Sequence, residues 1–400
     1  MRNLDYGLFD ADNHYYEPPD CFTRYIEPRH RERAIQLREV EGGERRVFVG
    51  DKPFTFLTGG FAGDTVSKAG ALREMLRSMK TGVSDEGAAQ EPMRPAYQDR
   101  DARLALMDRQ GVESAFLFPT LGVCVEHFMK DDPLQMYANL HAFNRWLLDD
   151  WGFDYRGRIF AAPLLSLLDV EQAVEELEWV LAEGARIVSL RPGPAFGRSP
   201  ADPTFDRFWA ILDEARVPVA YHIAESGYNE MMSVHWGEEP NPSSHRQSAF
   251  QWSCCYGDRV MIDTVASLVF HNLFGRFPHL RIISVENGSL WVPYAMKVMD
   301  KMKGMGRNGP WIGGYVKGPP SEIVKRHLFV APYHEEDIEG LIDTIGLGQV
   351  LFGSDFPHPE GLAEPADFAA ALPNLSPGAL RRVMRENARE LVYAAGGGAG

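Results

Sequence analysis

Four hundred residues with a 44% hydrophobic share make an ordinary globular chain, and no run of about 18 apolar residues is present to cross a bilayer. Forty-one basic residues against 56 acidic ones leave a net charge of −15, which repels polyanions and argues against nucleic acid as a partner. Cys21, Cys124, Cys254 and Cys255 show no CxxC spacing and the first residues carry no apolar signal region, so a reduced, cytoplasmic setting is expected.

The first predicted strand runs through Phe9-Asp-Ala-Asp-Asn-His14 and ends near Asp12 or His14, ahead of Glu17-Pro-Pro19. Residues from Glu27 to about Arg100 are charged and glycine-rich, with Gly59-Gly60 and Glu91-Pro-Met-Arg-Pro95 as breaks. They read as an insertion without a core pattern of its own. A regular rhythm starts at Asp101. A helix to Gln110, closed by Gly111, leads to a strand Ala115–Phe118, and a helix Leu134–Trp151 leads to a strand Ile159–Leu164. Asp169 caps a helix to Glu183, which feeds a strand Ile187–Leu190 and the turn Arg191-Pro-Gly-Pro194. Phe205, Phe208, Trp209 and Leu212 recur at helical spacing before a strand Val217–His222.

A polar loop from Gly227 to Ser253 precedes a helix through Val265–Leu273 and a strand Leu280–Val285, which ends in Glu286-Asn-Gly288. A helix Leu290–Met302 and a glycine-rich loop lead to a strand Leu328–Val330. A helix Glu335–Ile345 then leads to Val350-Leu-Phe352, an apolar run stopped by Gly353, Asp355, Pro357 and Pro359. Eight strands alternating with helices argue for a parallel sheet closed into an α/β (β/α)8 barrel, a fold that spans about 250 to over 400 residues as one unit. Residues 1–395 are therefore expected to form one domain, with carboxy-terminal helices from Ala366, Pro377 at a helix start, and a frayed tail at 396–400.

Barrels of this kind gather their chemistry at the carboxyl ends of the strands. Ionisable groups fall there on four strands: Asp12 and His14 on the first, His222 on the fifth, Glu286 on the sixth and Asp355 on the eighth. Each has a structural reading, since Asp12 or Asp355 can cap a turn, Glu286 can anchor the Gly288 turn, and a lone His222 is more often simply hydrogen-bonded. Their joint occurrence favours a divalent metal site, because neutral nitrogen and anionic oxygen together replace an ion's hydration shell. His334 and His358 lie just past strands seven and eight, and Tyr15 and Tyr16 flank the expected mouth.

Four stretches carry a resemblance to a known family: Asp10-Ala-Asp-Asn-His-Tyr-Tyr-Glu-Pro18, Gly275-Arg-Phe-Pro-His-Leu-Arg281, Val285-Glu-Asn-Gly288 with Trp291, and Phe352-Gly-Ser-Asp-Phe-Pro-His-Pro-Glu-Gly361. In them the chain resembles the amidohydrolase superfamily, in the branch that includes aminocarboxymuconate-semialdehyde, resorcylate and carboxyvanillate decarboxylases. The resemblance implies a distorted barrel holding one divalent ion, zinc or manganese, through Asp12, His14, His222 and Asp355. Two departures stand out. Asp occupies a position where the family often has His or Glu, and Glu286 replaces the family's histidine after strand six. No lysine for carbamylation follows strand four, only Ser189 and Arg191, so one ion is expected rather than two.

Two chemistries follow from such a site. Asp355 either accepts a proton from a metal-bound water that attacks a carbonyl, or passes a proton to a ring carbon as carbon dioxide leaves. Arg191 is expected to pin a substrate carboxylate, His358 to contact substrate, and Glu286 to orient water or a neighbouring donor. The expected substrate is a small aromatic or unsaturated carboxylic acid, and the resemblance implies a homodimer. A metal-free small-molecule binding protein on the same barrel is the competing reading.

Overall fold

A computed structural model describes residues 4–57, 63–81 and 89–394; Gly59-Gly60, the remainder of the insertion at 82–88 and the tail at 396–400 lie outside the described residues. Seven parallel strands form most of the barrel: β1 (Leu8–Tyr15), β2 (Val112–Pro119), β3 (Ile159–Ala161 and Leu164–Leu165), β4 (Val188–Leu190), β5 (Val219–His222), β6 (Ile282–Val285) and β7 (Leu328–Ala331). β1 pairs with β2 and β2 with the first half of β3, while the second half of β3 opens a run through β4, β5 and β6 to β7. Pro163 has no N–H and splits β3, but Ala162 still donates to Leu117 O and Ser189 to Pro163 O, both at 2.9 Å.

Residues 350–356 take the place of the eighth strand without forming a regular ladder. Leu351 N donates to Val330 O at 2.8 Å, Ala11 N to Phe352 O at 2.8 Å, Asp355 N to Asp12 O at 2.8 Å and His14 N to Phe356 O at 2.7 Å. These bonds close the ring between β7 and β1. Gly353 permits the close pass, because a Cβ there would sit 2.7 Å from Asp12 Cβ. The barrel is thus the expected one, with its last strand reduced to bridges by the residues that deliver Asp355.

Inside the ring, Phe9, Ala11, Phe116, Phe118, Phe160, Ala220, Ile283 and Leu351 form one apolar cluster, and Ala388, Leu391 and Val392 of the last helix join it. Strand residues of the opposite parity, such as Leu117, Val219 and Ile282, face the outer helices in the larger core. Side-chain caps fix the helix starts. Asp99 accepts from Ala102 N at 2.7 Å, Asp132 from Gln135 N at 3.1 Å and Asp169 from Gln172 N at 3.0 Å. The first helix after the insertion, Arg100–Gln110, ends at Gly111 with φ +71°, as its sequence predicts.

Two expectations need correction. The stretch from Gly227 to Ser253 contains a helical turn at Tyr228–Met231 and the start of a helix Ala249–Cys255, whose capping box pairs Ser248 with Gln251. The insertion is also more ordered than its composition suggests. Strands Ile35–Glu39, Arg45–Val49 and Lys52–Pro53 make an antiparallel sheet, and Thr65–Ser67 pairs with Gln90–Pro92 beside a helix Leu72–Thr81. It leans on three loops at the carboxyl face: the Phe54 ring meets Phe128 at 4.8 Å, Phe56 stacks on Tyr256 at 5.9 Å, and Leu72 N donates to Pro359 O at 2.9 Å.

Candidate metal centre

Strand ends carry the side chains to one place. Asp12 and His14 sit one residue apart on β1, both buried and on the same face. His222 is the last residue of β5. Glu286 and Asp355 follow their strands in left-handed backbone, with φ of +56° and +53°. Such conformations are costly for non-glycine residues and collect at functional sites, here turning two carboxylates inward.

The distances are short and mutual. His14 Nε2 is 3.2 Å from Asp12 Oδ1, 3.2 Å from His222 Nε2, 3.5 Å from Asp355 Oδ1 and 3.8 Å from Glu286 Oε2. His222 Nε2 is also 3.2 Å from Glu286 Oε2. Donor atoms of Asp12, His14, His222 and Glu286 lie within 4.8 Å of one another, and so do those of His14, Glu286, Asp355 and His358. His222 Nδ1 donates to Ile223 O at 2.8 Å, so Nε2 presents its lone pair to the cluster. Asp12 Oδ1 is buried and has no hydrogen-bond partner. A buried anionic oxygen without a donor, beside imidazole lone pairs, fits a cation.

Protonation of the bare cluster shows the same need. Burial lowers His14 to about 3, whereas His222, though burial opposes its charge, is pushed up to about 10 by the Asp12 and Glu286 carboxylates beside it. Burial holds Asp355 well above the usual carboxylate range, with Glu286 and Asp12 adding repulsion, and burial also raises Glu286. Asp12 resists the pull of burial because both imidazoles face it, and it lies below the ordinary range. Three carboxylates in one pocket need positive charge, supplied here by a proton on His222 or by an ion.

His358 completes the site on the Asp355 side. Its Nδ1 is 2.7 Å from Asp355 Oδ1 and its Nε2 is 3.0 Å from Thr120 Oγ1. The Thr120 hydroxyl gives its own hydrogen to Tyr15 O at 2.8 Å, so towards His358 it can only accept. His358 Nε2 is therefore the donor to Thr120, which leaves the Nδ1 side of the ring facing the Asp355 carboxyl, whose pKa burial raises.

The expected residues fare differently. Asp12, His14, His222 and Asp355 converge, and Glu286 stands with them rather than merely anchoring a turn. His358 reaches the cluster through Asp355. Arg191 does not present an open fork to the mouth: Nη1 donates to Ser226 O at 2.8 Å and Nη2 to Pro194 O at 3.0 Å, while Nε faces Glu126 at 3.7 Å. With its side chain 6% exposed, Arg191 commits donors of both terminal nitrogens to backbone carbonyls and leaves its buried Nε without a hydrogen bond. Tyr15 is buried against Trp146 and Trp151 rather than lining the mouth, and His334 pairs with Glu335. Thr120 and Glu17 gave no sequence signal of a role; Glu17 Oε1 accepts from Leu121 N at 2.9 Å and Gly122 N at 2.7 Å, fixing the turn that carries Thr120.

A closed parallel barrel with histidines and carboxylates gathered at the carboxyl ends of its strands has the build of a barrel enzyme whose side chains could hold a metal ion. The amidohydrolase family model matches residues 10–392, nearly the whole chain. An amidohydrolase from Mycobacterium avium subsp. paratuberculosis K-10 is 38% identical, covers 97% of this chain and 100% of its own, and superposes with a TM-score of 0.87. The chain belongs to the amidohydrolase family. The 2,6-dihydroxybenzoate decarboxylase from Rhizobium, 16% identical over 97% of this chain and 99% of its own, shares the fold with a TM-score of 0.62. So does a dihydroxybenzoic acid decarboxylase from Polaromonas sp. JS666, solved with manganese and 2-nitroresorcinol, at 15% identity, 97% coverage of both chains and a TM-score of 0.58. A search of curated proteins gave no match.

Proposed function

We propose that this protein is a metal-dependent decarboxylase of a small aromatic or unsaturated carboxylic acid, and that Asp355, backed by His358, delivers the proton. The observation that carries the reading is the Thr120–His358–Asp355 chain, in which His358 Nδ1 lies 2.7 Å from a buried Asp355 carboxyl whose pKa burial raises, an arrangement that supports Asp355 as a proton donor. Non-oxidative decarboxylation needs just such a donor. Asp355 gives it to the substrate carbon that bears the carboxylate. The bond from that carbon to the carboxylate then breaks, carbon dioxide leaves, and the bonding pair restores the ring or double bond.

Asp12, His14, His222, Glu286 and Asp355 would hold a divalent ion, zinc or manganese. When bound, that ion supplies positive charge for a substrate carboxylate and an adjacent oxygen. Decarboxylases of dihydroxybenzoates share the fold, and one of them was solved with manganese. Hydrolysis is the second reading, favoured by the match to an amidohydrolase model, but it asks Asp355 to begin as a proton acceptor. A metal-free binding role is disfavoured by the orphaned Asp12 oxygen.

Protein loaded separately with zinc or manganese should release carbon dioxide from members of a panel of hydroxylated aromatic acids, followed beside matched amides and lactones. Turnover of amides or lactones alone would replace decarboxylation by hydrolysis. Turnover of neither class, with no metal retained, would return the protein to the binding reading.

A further inference from the structure

Beneath the metal centre lies a chain of buried polar groups that the chemistry above does not use. Arg103 is 0% exposed, on the helix that follows the insertion, and forms no ion pair among the described residues. Its Nε donates to Ala96 O at 2.6 Å and its Nη2 to His14 O at 2.7 Å, while Nη1 bonds Asn13 Oδ1. On its other side Asn13 gives Nδ2 to Asp10 Oδ2 at 2.9 Å. The amide therefore has one permitted orientation, since a flip would set donor against guanidinium and acceptor against carboxylate.

Asp10 in turn holds both halves of the site. Its Oδ1 accepts from Asp12 N at 3.2 Å and from Ser354 N at 2.9 Å, and its Oδ2 from the Ser354 hydroxyl. The guanidinium also lies 5.7 Å from the centre of the Phe356 ring, on the far side of Asp355. A buried cation and a buried carboxyl are thus joined through one amide, and the residues they grip bracket Asp12, His14 and Asp355. Packing alone would be met by an apolar side chain. This arrangement instead fixes the spacing between β1 and the closing segment where the ligands leave them.

We propose that Arg103 is a positioning residue for the metal centre, acting with Asn13 and Asp10 as a brace that presets Asp12, His14 and Asp355 before the ion arrives. The inference rests on the metal reading of the cluster, and its test separates the two. Cobalt(II), used alone as the probe, is titrated into the metal-free parent and into Asn13→Ala, Arg103→Met and Arg103→Lys, with its visible absorption recorded. Circular dichroism and the melting temperature of each metal-free protein establish folding. Asn13→Ala cuts the brace while leaving Arg103 its bonds to His14 O and Ala96 O, so it carries the test if Arg103→Met does not fold.

Folded brace variants should bind cobalt about 10- to 100-fold more weakly than the parent, with a shifted spectrum, and Arg103→Lys should recover part of the loss. Parent-like affinity and spectrum in folded Asn13→Ala would overturn the brace while leaving the metal centre standing. A parent that binds no cobalt, zinc or manganese would overturn the metal centre itself, and the brace with it.

Discussion

At the scale of single residues, the folded chain places Asp355 under opposing demands. It closes the ring through its backbone N–H to Asp12 O, adopts left-handed backbone, and lies 2.7 Å from His358 Nδ1 while standing 3.5 Å from His14. Asp355→Asn preserves the shape but removes the carboxyl proposed to release the proton. Its circular dichroism should match the parent, and turnover should fall by about 100-fold or more. Full activity in that variant would remove Asp355 from the chemistry. Glu17 offers a test of the buried framework through pH. Burial pushes its carboxyl from 4.5 up to about 7, against the pull of the backbone N–H groups it accepts from. Below about 4.5 both folded and unfolded chains are protonated there. As pH rises towards 7, the unfolded chain ionises first and the fold loses stability. Glu17→Gln keeps an oxygen acceptor for Leu121 and Gly122 and cannot ionise. Relative to the parent it should gain about 1–3 kcal/mol between pH 5 and pH 8, read from denaturant melts. A difference constant across that range would show that Glu17 ionises alike in both states.

At the scale of elements, the insertion shows where sequence reading reaches its limit. Strands whose ends carry ligands were legible, because short apolar runs stopped by Asp, His, Glu or Pro can be read one at a time. The pairing of Ile35–Glu39 with Arg45–Val49 was not, since two five-residue strands with their charged residues nearest the turn give too short a periodic signal within a charged, glycine-rich stretch, and they are fixed in place by partners distant in sequence. One such partner is Asn139, whose side chain accepts from Ile35 N at 2.8 Å. Arg103 was missed for a related reason: an arginine on a helix is taken as solvated, and its burial becomes visible only once Ala96, Asn13 and His14 surround it. Glu286 stays ambiguous in the sequence, because a carboxylate just before the Gly288 turn serves equally to anchor that turn or to face the barrel mouth. The insertion's hold on the mouth is testable at Phe56, which is 1% exposed and lies against Tyr256, while its carbonyl accepts from Ser244 N at 2.8 Å. Phe56→Ala should cost about 3 kcal/mol of stability and raise KM for the preferred acid more than it lowers kcat. Lost stability with KM unchanged would mean that the insertion braces the loops without shaping the pocket.

At the scale of the whole molecule, the ring is closed by bridges rather than by a full eighth ladder, and its mouth gathers three carboxylates. Among the described residues no lysine or arginine forms an ion pair with Asp12, Glu286 or Asp355. The donor groups leave β1, β5, the turn after β6 and the closing segment, so an ion held by them ties four points of the ring, one of them the segment that closes it by bridges alone. Such an ion binds the folded chain and meets no assembled site in the unfolded one, so binding free energy becomes folding free energy. At a free-metal concentration about 1,000 times Kd the stabilisation is about 4 kcal/mol. With an unfolding entropy of about 2 cal/mol/K per residue, a chain of 400 residues should then melt about 5 °C higher than after chelation. Zinc or manganese should restore the shift to stripped parent protein. Neither should do so in Asp12→Ala, which lacks the orphaned oxygen. A melting temperature indifferent to chelation and to added metal in the parent would mean that these side chains meet without holding an ion between them.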